Sequence, residues 1–594
     1  MFAFLYSMNA FASPIWEAIL YQDVTRLPSS PSDNRYWHAL ANISPVSEQL
    51  YADTTAFPIS IQEAQADALF LAESDPQKIR EIYERSSSKE AHLQAKLIGA
   101  LAKHGDCSIM PILDSALSMA HPLRLPEQTE AALYGIGLLA TQHQCDFSKE
   151  IGWILPMLQS FSTPRRKAAA FALSLLQPHW TDPEPIWKAT IREPHPLIRS
   201  WLVRASTHTN PSEEITLHWY SDPDQRVRQQ AMYAQPQSAL LPEMLKDEEL
   251  WVQLNAITAL GRNGADLSRI IEAGANINAE EQSTISGNRR FAQTLVAIEA
   301  SQKVQTSPLM AIERPTEVRR AATAKITDEK QLKKLLKDKE APIRSTAAKN
   351  LISANPENLD LLLSLLENDF EDVVATTLYS IARNKDVALE ESVWNLLTAA
   401  QDNSIFRILH TLIALETTKD KEDAEKILSA LWEKKRQDIL LPLHRLAQSL
   451  GVETPDIEWP EIQEIKRSFR IDTEYGELQA ELFIEDAPIL CAQWIEQIEN
   501  QVHKQPFVSG NEQYLRIGLK QSLYDIGERN TRPVERGSLL FYREQEEPEI
   551  WIALEEHPLD IGKYVVFGKI VDGEQILRQM RPQERIHKLS IQEQ

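Results

Sequence analysis

The sequence predicts a mainly α protein, a long helical solenoid followed by a small β-rich domain. Two observations predict it. Amphipathic helical segments with the same opening recur along most of the chain, and beyond a proline-rich, acidic stretch near residue 455 the apolar period changes from helical to alternating. At 594 residues the chain has room for an extended array and a second domain.

The clearest copy of the repeated unit is EAPIRSTAAKNL, from Glu340. An acid and a proline open it. Ile343, Ala347 and Leu351 then fall on one helical face with Ala348 beside them, and Arg344 follows the first apolar residue. Such a stripe needs a neighbour of the same kind to cover it. Related openings are HPLIRSWLVRAS from His195, DQRVRQQAMYA from Asp224, ELWVQLNAITAL from Glu249 and TEVRRAATAKI from Thr316. A second apolar helical segment follows each. The pattern resembles HEAT repeats, particularly the short bacterial type with an acid, a β-branched residue, an arginine and then small residues.

Taken in order, residues 1–12 (MFAFLYSMNAFA) are apolar and end in Ala10-Phe11-Ala12, small residues of the kind a signal peptidase needs. A basic start is missing, so a signal-peptide remnant and a plain N-terminal helix both fit; the first is favoured and points to a periplasm or cell envelope, with the cytoplasm as the alternative. Residues 13–60 read as a cap on the first repeat. Residues 61–452 read as the solenoid, repeating at intervals of roughly 25–38 residues. Its period blurs between Ser283 and Pro315, where a long helix and a loop are expected. Residues 453–467 read as a linker and 468–594 as the second domain.

A net charge of −23 argues against nonspecific binding to nucleic acid or to an anionic membrane surface. The basic spots Arg165-Arg166 and Lys333-Lys334 with Lys337 and Lys339 read as solvated helix faces. No apolar run reaches the ~18 residues of a spanning helix, so no membrane insertion is expected. The tryptophans at 153, 180, 187, 201, 219, 251, 394 and 432 read as core, with a subset lining a concave groove as the alternative. Of the three cysteines, Cys107 and Cys145 follow similar helices. They read as two free thiols, with a disulfide between neighbouring loops as the alternative. Cys491 reads as a core residue.

In the last domain, SFRIDTEYGELQAELFI reads as strand, turn, strand; APILCAQWIEQIEN as a helix; QYLRIGL, RGSLLFY, EIWIAL and KYVVFGKIV as strands; EQILRQM as a helix; and HKLSI as the final strand. Many strands with two helices predict a closed barrel capped by helices. Thr473, Gly476, Glu481-Leu482-Phe483 and Ala487-Pro488, then Arg536-Gly537, Leu559-Asp560, Tyr564, Val566-Phe567-Gly568-Lys569 and Gly573 carry a resemblance to cyclophilin-type peptidyl-prolyl isomerases, over about a fifth of the chain.

That resemblance implies a definite chemistry. A prolyl amide rotates over a barrier of about 18–20 kcal/mol, because the bond is conjugated. Members of the family hold the proline ring in an apolar pocket, and an arginine donates to the twisted amide. Their segment reads Phe-x-Arg, then Phe, then Gln-Gly-Gly. Here the text is FVSGNEQYLRIGL. In the preferred register Phe507 takes the first Phe, Ser509 the catalytic Arg, Tyr514 the later Phe and Ile517 the Gln. A second register aligns Tyr514-Leu515-Arg516-Ile517 with Phe-x-Arg-Ile and keeps Arg516 as the catalytic residue. The other groove candidates are Tyr542, Trp551, Leu559 and Tyr564; Tyr542 replaces a small residue and would crowd the groove. No Gly-rich phosphate loop, HExxH, CxxC or GxSxG occurs, so no cofactor or metal is expected.

Two functions follow. One is a protein-binding scaffold whose cyclophilin-like domain has lost most isomerase activity. The other is an active prolyl isomerase and folding factor whose solenoid holds clients near a working barrel. Either way the expected partners are protein or peptide clients, proline-containing ones among them.

Overall fold

The computed structural model describes Tyr36, Trp37, Leu40 and Ala41, then residues 48–453 apart from short breaks, and beyond 467 the strands with selected residues around them. The expectations for residues 1–12 and for the linker after Glu453 lie outside the described residues. The chain divides into two compact units. One comprises Met1–Asn263, Gln463–Arg543 and Pro548–Gln594, the other Gly264–Ile462 and Glu544–Glu547.

In the first unit the helices Ile59–Leu71, Ala91–His104, Pro126–Gln142, Thr163–Leu175, Pro196–Ala205, Gln225–Ala234 and Leu250–Arg262 stack in sequence. Flanking helices Pro76–Arg85, Met110–Leu117, Ser148–Met157, Glu184–Arg192, Glu213–Tyr220 and Leu241–Met244 each pack on the stacked helix that follows. The second unit repeats the scheme with Ile285–Ala300, Thr316–Thr323, Ala341–Ala354, Glu371–Asn384, Ile405–Ala414 and Gln437–Ser449 as its stack. The blurred stretch after Ser283 is the helix Ile285–Ala300 and a short turn of helix at Thr306–Leu309. Local chemistry sets the starts. Asp75, Ser162, Asp224, Asp328 and Asn358 each accept a first-turn backbone N–H. Small residues set the spacing: a Cβ on Gly137 would lie 2.9 Å from Leu175.

The arginine of the repeat has a specific task. Arg199 donates through Nη1 to the carbonyls of Glu193 and Pro194 at 3.1 and 2.9 Å, and through Nε and Nη2 to the Asp222 carboxylate of the next repeat, both at 2.9 Å. Arg228 does the same with the carbonyls of Asp222 and Pro223 and the carboxylate of Asp247. Each acid also accepts the backbone N–H two residues on, at His195, Asp224 and Glu249. Arg166 starts this ladder by pairing with Glu193, and Gln253 ends it by donating to the Asp247 carbonyl. Arg166 is therefore no solvated spot: its side chain is 14% exposed, because the ladder holds it against the turn. In the second unit Arg319 pairs with Asp338 and Arg344 with Asp372. Lys333 does lie on an open face, paired with Glu329 one turn back.

Cys107 and Cys145 form a disulfide, with Cα atoms 5.6 Å apart, which corrects the free-thiol reading. Ala91–His104 and Pro126–Gln142 are stacked neighbours, so the loops that leave them run side by side. Close by in sequence, Glu150 is buried beside the Asp114 carboxyl, and Lys149 pairs with Asp114 at 2.5 Å. Burial, then the Asp114 contact, pushes the Glu150 carboxyl from its ordinary 4.5 up to about 7. The folded chain thus binds more protons here than the unfolded chain between those values. This contribution to stability is present below about pH 4.5 and is lost as pH rises towards 7. Glu150→Gln is expected to stabilise the protein at pH 8 relative to pH 5, read as the difference from wild type in urea midpoints. An equal difference at both pH values would refute it.

Residues 468–591 contribute an eight-stranded antiparallel sheet of order β3-β4-β6-β5-β7-β2-β1-β8. Its strands are β1 (Ser468–Thr473), β2 (Gly476–Leu482), β3 (Val508–Gly510), β4 (Tyr514–Gly518), β5 (Ser538–Tyr542), β6 (Glu549–Ala553), β7 (Tyr564–Asp572) and β8 (Lys588–Ile591). Among the described residues the sheet is open, with β3 and β8 at its edges, where a closed barrel was expected. No ladder among the described residues joins those two edges. β3 was not anticipated, since three residues leave no alternation to read. Gly476, at φ 132°, makes the β1–β2 turn that other residues would strain. Leu490, Cys491, Trp494, Ile495 and Ile498 are helical and buried, with Trp494 edge-on to Phe469 and Phe567. The Cys491 thiol donates to the Phe567 carbonyl at 3.4 Å, so it is a core residue.

Candidate functional site

The candidate site lies on one face of β4, β6, β5 and β7. Residues directly opposite in an antiparallel ladder share a face. Tyr514 stands opposite Ala553, Trp551 opposite Leu540, and Leu540 opposite Val566. Their side chains, with Tyr564 and Val534, form one apolar cluster. Within it the rings of Tyr514, Trp551 and Tyr564 touch pairwise, with centroids 5.1, 5.7 and 5.6 Å apart. The three residues are 4%, 5% and 3% exposed.

Three residues singled out from the sequence thus come together. Ile517 does not join them: it is buried an odd number of positions along β4, on the opposite face from Tyr514. Arg516 stands in the register opposite Trp551 on one side and Ser509 on the other, and Tyr542 stands opposite Tyr564. The side chains of Arg516, Ser509 and Tyr542, and the whole of Phe507 and Leu559, lie outside the described residues.

Two contributors were not read from the sequence. Asn530 is buried and clamps β7, donating to the Val566 carbonyl at 3.0 Å and accepting from the Val566 N–H at 3.4 Å. Arg532 lays its guanidinium 3.8 Å from the centroid of Phe483, a ring that packs against the aromatic cluster. Neither carries a signal beyond its place just before the Arg536-Gly537 turn. Among the described residues no group of three or more His, Cys, Asp or Glu side chains could hold a metal ion, and no helix is long and apolar enough to cross a membrane.

Chemically, the three rings make an apolar wall whose faces are occupied by one another. A proline ring needs an opening of its own size beside such a wall, and a fixed donor at the amide.

No protein-family model matches the chain, and no curated protein does. Among solved structures it is similar, at 20% identity over 22% of this chain and 100% of the other, to a cyclophilin type peptidyl-prolyl cis-trans isomerase of Cryptosporidium parvum crystallised in the presence of the dipeptide Ala-Pro, with a TM-score of 0.19. A second structure of that isomerase, again at 20% identity, covers 22% of this chain and 99% of its own, with a TM-score of 0.19. Yeast importin-beta is similar at 13% identity over 74% of this chain and 73% of its own, with a TM-score of 0.35.

Proposed function

We propose that this chain is a protein-binding scaffold: its HEAT-type helical arrays dock partner proteins, and its cyclophilin-like domain, a barrel in the family it resembles, retains little prolyl isomerase activity. The observation that carries this is the mutual contact of Tyr514, Trp551 and Tyr564, which fills the wall a proline would meet. In the preferred register Ser509 takes the place of the arginine donor, and a serine hydroxyl is a neutral, weaker donor to a twisted amide. The Cys107–Cys145 bond supports an oxidising compartment, the periplasm or cell envelope, over the cytoplasm.

A second reading, a working isomerase, draws on one observation: Arg516 pairs in register with Trp551. The test is isomerisation of a short prolyl peptide by the full-length chain. The expected rate is the uncatalysed one, tens to hundreds of seconds at 25 °C, with no change in Arg516→Ala. Acceleration that Arg516→Ala abolishes would establish the second reading instead.

A further inference from the structure

We infer that the Cys107–Cys145 bond is a one-sided thiol-exchange site, opened by a dithiol reductant that attacks the Cys107 sulfur and releases Cys145. The inference stands apart from the scaffold reading. The two cysteines differ in access. Cys107 is exposed, as are Asp106 and Ser108 on either side of it, whereas Cys145 is 5% exposed and lies two residues before the buried Phe147. In thiol–disulfide exchange the incoming thiolate approaches along the S–S axis, from the side of the sulfur it strikes, so access decides which sulfur reacts. An exposed Cys107 and a buried Cys145 leave that line open at one end.

Charge does not close it. Asp106, just before Cys107, accepts the Ser108 N–H at 2.8 Å. Arg80 reaches the same turn from the other side, donating through Nη2 to the Ser108 carbonyl at 2.9 Å and to its hydroxyl at 3.3 Å. An approaching thiolate therefore meets a cation beside the acid. Asp146, just beyond Cys145, is engaged by the N–H and hydroxyl of Ser148.

The step balances as a two-electron exchange. The thiolate forms a bond to the Cys107 sulfur as the Cys107–Cys145 bond breaks, and Cys145 leaves with the electron pair and takes up a proton. The second thiol of the reductant then attacks its own sulfur in the mixed disulfide and releases Cys107, which is protonated in turn. The chain gains two electrons and two protons, and the dithiol becomes a disulfide. Opening the bond does not separate its halves. Ala91–His104 and Pro126–Gln142 pack directly on one another, and the flanking helices that start beyond the two cysteines stay joined by Lys149 and Asp114, 2.5 Å apart. The thiols thus remain neighbours at high effective concentration, and the bond can close again in the folded chain.

The experiment treats the oxidised, folded full-length chain with the monothiol cysteamine, quenches with acid and maps mixed disulfides by peptide mass. Adducts are expected on Cys107 in about tenfold excess over Cys145. With dithiothreitol instead, a brief maleimide pulse should label Cys107 about tenfold faster than Cys145. Removing the reagent should restore the bond without any unfolding step. Adducts mainly on Cys145, or equal labelling of the two thiols, would overturn the inference. So would a reduction rate that follows the unfolded fraction as urea is raised, because the bond would then open only from the unfolded chain.

Discussion

Arg228→Ala is expected to destabilise the first compact unit by about 3–5 kcal/mol, the range for breaking a buried charge pair from one side. Arg228 and Asp247 are each 8% exposed at the side chain, and the pair is bidentate at 2.8 and 2.9 Å. Removing the guanidinium leaves the Asp247 carboxylate buried with, among the described residues, the Glu249 backbone N–H as its partner, and takes a donor from the carbonyls of Asp222 and Pro223. Those groups would lose water without regaining a partner, which is the costly case. Asp247→Asn, which keeps an acceptor for the guanidinium, is expected to cost less. Lys246→Ala, which breaks an exposed pair with Glu243, should stay within about 0.5 kcal/mol. Hydrogen exchange is the informative readout, because a repeat unit melts locally: protection should fall in Gln225–Ala234 and Leu250–Arg262 first. An Arg228→Ala penalty under about 1 kcal/mol would mean the ladder is ornamental.

Much of this was legible in EAPIRSTAAKNL. The apolar spacing gave the helix, its buried side is the anticipated Ile343, Ala347, Ala348 and Leu351, and the recurring acid and arginine marked the repeat. What the sequence hid was the partner. Arg344 reaches Asp372, in the next helix of the stack, because Asn368 occupies the loop position that Asp338 fills one repeat earlier. A local pattern cannot announce a contact made across a repeat. The site was legible to a similar depth. The family resemblance marked Tyr514, Trp551 and Tyr564, yet it carries no information on whether their rings leave a gap or close one. Ile517 shows the same limit: aligned by motif with the rings, it sits on the other face because side-chain direction follows strand parity.

Cys145→Ala is expected to destabilise the first unit by about 2–4 kcal/mol, the usual contribution of a disulfide. The bond spans 38 residues, and closing a loop of that length in the unfolded chain removes entropy worth about 4 kcal/mol at 25 °C in the chain-entropy treatment. Strict non-additivity identifies the bond as the source. Cys107→Ser, Cys145→Ala and the double variant should share one urea midpoint, and a reductant should bring the wild type to that midpoint while leaving the variants unmoved. Packing alone predicts otherwise: Cys107 is exposed and Cys145 buried, so without the bond only the second substitution would register, and the two losses would add. The location makes the result diagnostic for the array as well. The staple joins the exits of two neighbouring stacked helices and crosses no other repeat, so faster hydrogen exchange should centre on Ala91–His104 and Pro126–Gln142 and fade towards Leu250–Arg262. Uniform loss of protection along all the stacked helices of the unit would instead mean that it unfolds as one cooperative body and that its repeats are not energetically separate.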